Sequence, residues 1–76
     1  VEQGRGEVID IVIPEGFETR KLMELKLPTR AVIGIVNRKK HVIIPKGDTL
    51  IMSGDEIIVF TKNEDAQLIK EFFKVG

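Results

Sequence analysis

The sequence predicts a small α+β domain of β-α-β-β-β-β-α order, mostly antiparallel, with its helices packed on the sheet and a second copy of the chain against it. Three observations carry that expectation. Five short β-branched runs alternate with turns rich in proline, glycine and aspartate. Two stretches show helical spacing instead, Arg20 to about Lys26 and the segment after Asn63. The strands are apolar on both faces, and a chain of 76 residues has too little else to cover both.

Residues 1–6, with two glycines, read as a flexible lead-in or linker remnant, and 7–76 as the folded domain. Glu7 to Ile13 is the first strand, stopped at Pro14, which lacks the donor that a ladder needs. Its isoleucines Ile9, Ile11 and Ile13 share one face, and Val8 and Val12 the other. Thr19 is placed to cap a helix from Arg20 to about Lys26, with Leu22, Met23 and Leu25 inward, and Pro28 ends it. Ala31 to Val36 is a second strand, with Ala31, Ile33 and Ile35 facing opposite to Val32 and Val36 and Gly34 between. Val42 to Ile44 is a third, joined to it through residues 37–41, a link short enough to require an antiparallel hairpin. Thr49 to Met52 lies between Pro45-Lys46-Gly47-Asp48 and Ser53-Gly54-Asp55, both turn sequences. Glu56 to Thr61 is the last strand, apolar on both faces through Ile57 and Val59 against Ile58 and Phe60. Asn63 then caps a helix whose Ala66, Leu68, Ile69, Phe72 and Phe73 form one broad stripe.

The net charge of zero, from 12 basic and 12 acidic side chains, hides a pattern. Residues 1–19 sum to −4, residues 20–47 to +7 and residues 48–76 to −3. There is no cysteine, so no disulfide, thiol nucleophile or cysteine–zinc site. One histidine, His41, excludes a multi-histidine metal centre. The apolar runs fall far short of the ~20 residues of a membrane span, and no signal peptide is evident, so a cytoplasmic setting is expected.

The Arg38-Lys39-Lys40-His41 cluster fits a nucleic-acid-binding module built on hairpin 37–41, but is better explained as a solvated hairpin tip whose charges discourage edge-to-edge pairing. No stacking aromatic accompanies it, and the four phenylalanines look like core or turn residues. Asp48 and Asp55 follow glycines in turns, where capping of local backbone explains them better than a calcium site. One serine, one histidine, no tyrosine, no nucleophile elbow and no P-loop argue against an enzyme.

Four segments in order carry a resemblance: Val8 to Gly16 (Val-Ile-Asp-Ile-Val-Ile-Pro-Glu-Gly), Leu22 to Pro28, Val42 to Thr49 (Val-Ile-Ile-Pro-Lys-Gly-Asp-Thr) and Met52 to Phe60 (Met-Ser-Gly-Asp-Glu-Ile-Ile-Val-Phe). Over roughly residues 7 to 73 the chain resembles the C-terminal domain of regulators of potassium conductance, also called the TrkA C-terminal domain. The resemblance implies a regulatory, ligand-sensing and dimerising domain of a potassium or other cation uptake system or channel, reaching the membrane only through a transporter partner. It implies a homodimer or higher oligomer, a membrane-embedded transporter or channel subunit, and an N-terminal dinucleotide-binding domain or subunit as partners, with no nucleic acid. A plain dimerisation domain without ligand is the other reading. An effector site between protomers would involve Arg30, Ala31 and Val32. Members that bind cyclic di-AMP carry an Asn where Ala31 stands and an Asp-x-Arg upstream, absent here, which argues against that ligand. No cofactor is expected within this chain, and without a Gly-x-Gly-x-x-Gly fingerprint NAD or ATP is expected only on a separate Rossmann domain. The family hairpin turns on a glycine where Lys40 stands, so the turn is either strained or of another type.

Overall fold

The computed structural model describes residues 4–74. Its strands are β1 (Gly6–Val12), β2 (Arg20–Lys21), β3 (Ala31–Arg38), β4 (His41–Ile43), β5 (Leu50–Ile51) and β6 (Glu56–Lys62). Single turns of 3-10 helix occupy Leu22–Glu24 and Asn63–Asp65, and one α-helix, α1, spans Ala66–Phe72. Residues 1–3 of the expected lead-in lie outside the described residues; its described part ends at Gly6, which opens β1.

The isoleucine and valine alternation builds a four-stranded sheet of order β1-β6-β3-β4, antiparallel at every pairing. Its inward face is Ile9 and Ile11 of β1, Ile57 and Val59 of β6, and Ile33 and Val36 of β3, all buried. Ile13 prolongs β1 past its last ladder residue, donating to the Asp55 carbonyl (2.7 Å) and accepting from the Gly54 amide (2.8 Å). Over this face lie α1, through Ala66 and Ile69, then Phe73, and the 14–28 segment through half-buried Phe17, Leu22, Leu25 and Leu27. Thr61 is buried with its hydroxyl donating to the Arg30 carbonyl at 3.1 Å, so burial leaves it satisfied.

The expected α+β class and antiparallel sheet are present, but the first helix is not. The amides of its leading residues go across the chain instead of along it. Arg20 and Lys21 pair with Ile51 and Leu50, Leu22 N–H donates to the Thr49 carbonyl (2.8 Å), and Met23 N–H to the Gly47 carbonyl (2.9 Å). One 3-10 turn remains, closed by Leu25 N–H on the Leu22 carbonyl at 3.1 Å. Thr19 therefore caps nothing; Glu24 accepts the Lys21 amide (2.8 Å) in its place. Seven residues ahead of a proline are too few to nucleate a helix against competing strand partners.

Two more boundaries differ. Asn63 does not cap the final helix: its side chain donates to Glu7 (2.6 Å) and its backbone amide to the Arg5 carbonyl (2.7 Å), stitching the start of β1 to the end of β6. The α-helix begins a turn later and covers seven residues. In β3 a bulge falls between Ile33 and Ile35. It shifts the alternation by one residue, so Val36 is fully buried while Ile35, expected on the same face as Ile33, is only half-buried.

Candidate functional site

Strand alternation that fills one face with isoleucine leaves the other to solvent. On it, rows run across the sheet in register: Val8, Phe60 and Val32, then Asp10, Ile58 and Ile35, then Val12, Glu56, Asn37 and Val42. Val8, Val12, Val32 and Val42 are each 60–65% exposed and Phe60 46%. Such a patch amounts to roughly 500 Å² of apolar surface, at the upper end of what monomers leave to water.

Phe60 is where the sequence reading fails most usefully. It lies neither in the core nor in a turn, but flat on the open face over Gly34, where an added Cβ would sit 2.6 Å from its ring edge. Its alternation with Val59 and Thr61, both buried, is the signal that places it outward. Of the expected effector residues, Arg30 is exposed and gives its carbonyl to Thr61, Ala31 is half-buried opposite Thr61, and Val32 sits on the open face opposite Phe60.

Amid this apolar strip lies one polar island. Glu56 accepts a hydrogen bond from the Asn37 amide at 3.0 Å. Asp10, diagonal to Glu56 across the β1–β6 ladder, is held above its ordinary value first by a hydrogen bond shared with Glu56, then by desolvation and by the charge of Glu56.

The basic hairpin is divided by the structure. Arg38 turns inward, with Nε on Asp55 Oδ1 and Nη2 on Oδ2, both 2.8 Å, and Nη2 also on the Leu50 carbonyl at 2.8 Å. Asp55, 2% exposed, also accepts the Met52 amide at 2.9 Å. Burial alone would raise the Asp55 carboxyl, but the Arg38 bonds, the Met52 amide and the guanidinium charge together hold it below its ordinary value. Asp55 is thus a structural clamp in its turn, not a calcium ligand paired with Asp48, which is exposed in the 45–49 turn. Lys39 and Lys40 form the tip with φ of 48° and 70°, a turn with two left-handed residues in which asparagine and glycine are favoured. The strained alternative therefore applies. Among the described residues no group of three or more acidic, histidine or cysteine side chains is arranged to hold a metal, and no helix is long and apolar enough to cross a membrane.

Comparison with known proteins gives this surface its setting. The chain is 33% identical over 72 residues to a Trk system potassium uptake protein TrkA homolog of Archaeoglobus fulgidus, covering 92% of this chain and 16% of that protein. It is 32% identical over 76 residues to TrkA homolog 1 of Methanosarcina mazei, covering 97% of this chain and 17% of the relative. The chain thus spans about a sixth of the length of these curated relatives. A solved structure described as "Structure of RCK domain with cda" superposes with a TM-score of 0.72 at 22% identity, over 90% of this chain and 94% of that one, and shares its fold. The TrkA-C domain family matches residues 8–74. With that match spanning nearly every described residue, the chain belongs to the TrkA-C domain family.

Proposed function

We propose that this domain is a dimerising, ligand-responsive regulator that biases a membrane-embedded potassium transporter or channel subunit, working beside a separate dinucleotide-binding unit. The observation that carries the reading is the open apolar sheet face of Val8, Val12, Val32, Val42 and Phe60. Two such faces brought together remove about 1,000 Å² of surface from water, the lower bound for a specific interface. Isologous pairing is the simplest cover, because each copy carries the same patch. The effector site is then between protomers, beside Arg30, Ala31 and Val32, and an effector acts by favouring one arrangement of the pair over another. The alanine at position 31 argues against cyclic di-AMP. Dinucleotide binding is assigned to the partner unit, and the domain itself is read as non-catalytic.

Sedimentation equilibrium at high micromolar concentration tests the pairing. A species of twice 8.6 kDa is expected for the natural sequence, and a monomer with unchanged circular dichroism for Val32→Asp. A natural chain that stays at 8.6 kDa at every concentration refutes it. Titration with salt separates the nucleic-acid reading: apolar pairing tolerates salt, whereas phosphate binding through Lys39 and Lys40 weakens steeply.

A further inference from the structure

Asp10 and Glu56 occupy a place where two like charges are awkward. They lie in adjacent rows of the open face, between Val8 and Val12 on one strand and beside Ile58 on the other. The charged and polar groups that face them are few. β6 contributes Glu56 itself and Lys62, the latter at the far end opposite Gly6. β3 contributes Asn37 and β4 the apolar Val42. Arg38 alternates to the opposite side, where it is engaged by Asp55, and His41 pairs with Arg38 there. Among the described residues of β6, Lys62 is the basic side chain on this face, and it lies at the opposite end of the ladder from Glu56; a second copy laid on the face brings the same two carboxyls again.

Covering an ionised carboxylate with apolar surface and no counter-charge is unfavourable; covering a carboxyl that donates to its neighbour is not. The register sets Asp10 and Glu56 in adjacent rows of the β1–β6 ladder, where a protonated carboxyl of one can donate to the other. Asn37 donates to Glu56 Oε1, which favours Glu56 as the acceptor and leaves Asp10 as the group to carry a proton. Already in the isolated chain Asp10 holds its proton more tightly than an ordinary aspartate, because of the bond to Glu56.

We propose that Asp10 and Glu56 make pairing of the sheet faces a proton-consuming step, each protomer entering the dimer with one proton shared between its two carboxyls. The inference rests on the face-to-face dimer proposed above. The sign follows directly: the dimer binds more protons than the monomers, so it tightens as pH falls toward the carboxyl range and loosens as pH rises. With one proton per protomer, the dissociation constant changes by as much as about 100-fold per pH unit within the linked window.

The test is the dimer dissociation constant, measured by sedimentation equilibrium from about pH 5 to pH 8 on the natural chain and on Asp10→Asn, Glu56→Gln and His41→Gln. The natural dimer should weaken at least tenfold across the range. Asp10→Asn donates the same hydrogen bond without a proton, so its dimer should stay tight at pH 8 and vary less than about twofold per unit. His41→Gln should keep the natural slope, since an imidazole is the competing source of a pH effect between about pH 5 and pH 8. A natural dimer whose constant is flat with pH, an Asp10→Asn variant with the natural slope, or loss of the slope in His41→Gln each overturns the proposal while leaving the dimer standing. A natural chain and an Asp10→Asn variant both monomeric at every pH overturn the dimer itself.

Discussion

Replacing Arg38 by methionine, which keeps an unbranched apolar stem and removes the charged guanidinium, should be among the most damaging single changes outside the apolar core. Asp55 is 2% exposed and has three donors, Arg38 Nε, Arg38 Nη2 and the Met52 amide. The substitution leaves one. Removing one member of a buried ion pair costs about 3–5 kcal/mol, and because the Arg38 side chain is 30% exposed, letting water approach, that range is discounted to about 2–4 kcal/mol. A chain of this size has about 4–11 kcal/mol of stability in all, so the loss is a large fraction of it. Urea unfolding at fixed protein concentration should show a lower midpoint, and the melting temperature should drop by roughly 10–25 °C. Asp55→Asn, which leaves the partly exposed Arg38 able to find water, should cost less, about 1–2 kcal/mol. The pH dependence sharpens the test. In the natural chain the Asp55 carboxyl is lowered, so its contribution is complete above about pH 4 and is lost as pH falls through the folded-state value. Without Arg38, burial raises the same carboxyl and its contribution changes sign, so the deficit of Arg38→Met should narrow as pH drops from 7 toward 4. A deficit below about 1 kcal/mol, or one that is constant with pH, would show that the pair does not hold the 52–55 turn as described.

Two further changes separate local strain from interface effects. Substituting Asn-Gly for Lys39-Lys40 relieves two left-handed lysines and should stabilise the domain by about 1 kcal/mol, less than the summed strain because glycine also frees the unfolded chain; thermal melts check it. Gly34→Ala places a Cβ 2.6 Å from the Phe60 ring. Phe60 is 46% exposed and can swing away, so folding should lose less than about 1 kcal/mol, while the proposed dimer should weaken because the displaced ring roughens the open face. Comparing urea midpoints with sedimentation on the same protein separates the two.

Much of the sheet was legible because its branched residues speak with period two: Ile9 and Ile11 in β1, Ile13 just past it, and Ile57 and Val59 in β6 are all buried as alternation requires. The uncovered second face followed from the same residues, since Val8, Val12, Val32 and Phe60 alternate with them. Local chemistry misled where a long-range partner outbid it. Leu22, Met23 and Leu25 have helical spacing, yet the amides of Leu22 and Met23 are taken by carbonyls of residues 47–49, which no local pattern reveals. Asn63 is a good cap by type, but Glu7, distant in sequence, holds its side chain. The charge cluster at 38–41 read as one basic unit because sequence distance does not show that Arg38 lies over Asp55. The Asp10–Glu56 pair was invisible for the same reason, as it exists only through the antiparallel register of β1 on β6.

The bulge between Ile33 and Ile35 has a consequence for how β3 tolerates insertion and deletion. Before it, odd-numbered residues face inward; after it, even-numbered ones do, which is how Val36 reaches the core and Arg38 reaches Asp55. Excising Gly34 would restore an unbroken repeat without changing any pairing beyond it: Ile35 stays opposite Ile58, Val36 opposite Ile57 and Asn37 opposite Glu56, so Arg38 still reaches Asp55. Inserting a residue between Val36 and Asn37, with the register kept up to Val36, would instead turn Arg38 onto the apolar face and leave Asp55 without its base. The strand therefore absorbs the loss of its supernumerary residue but not a gain beyond it.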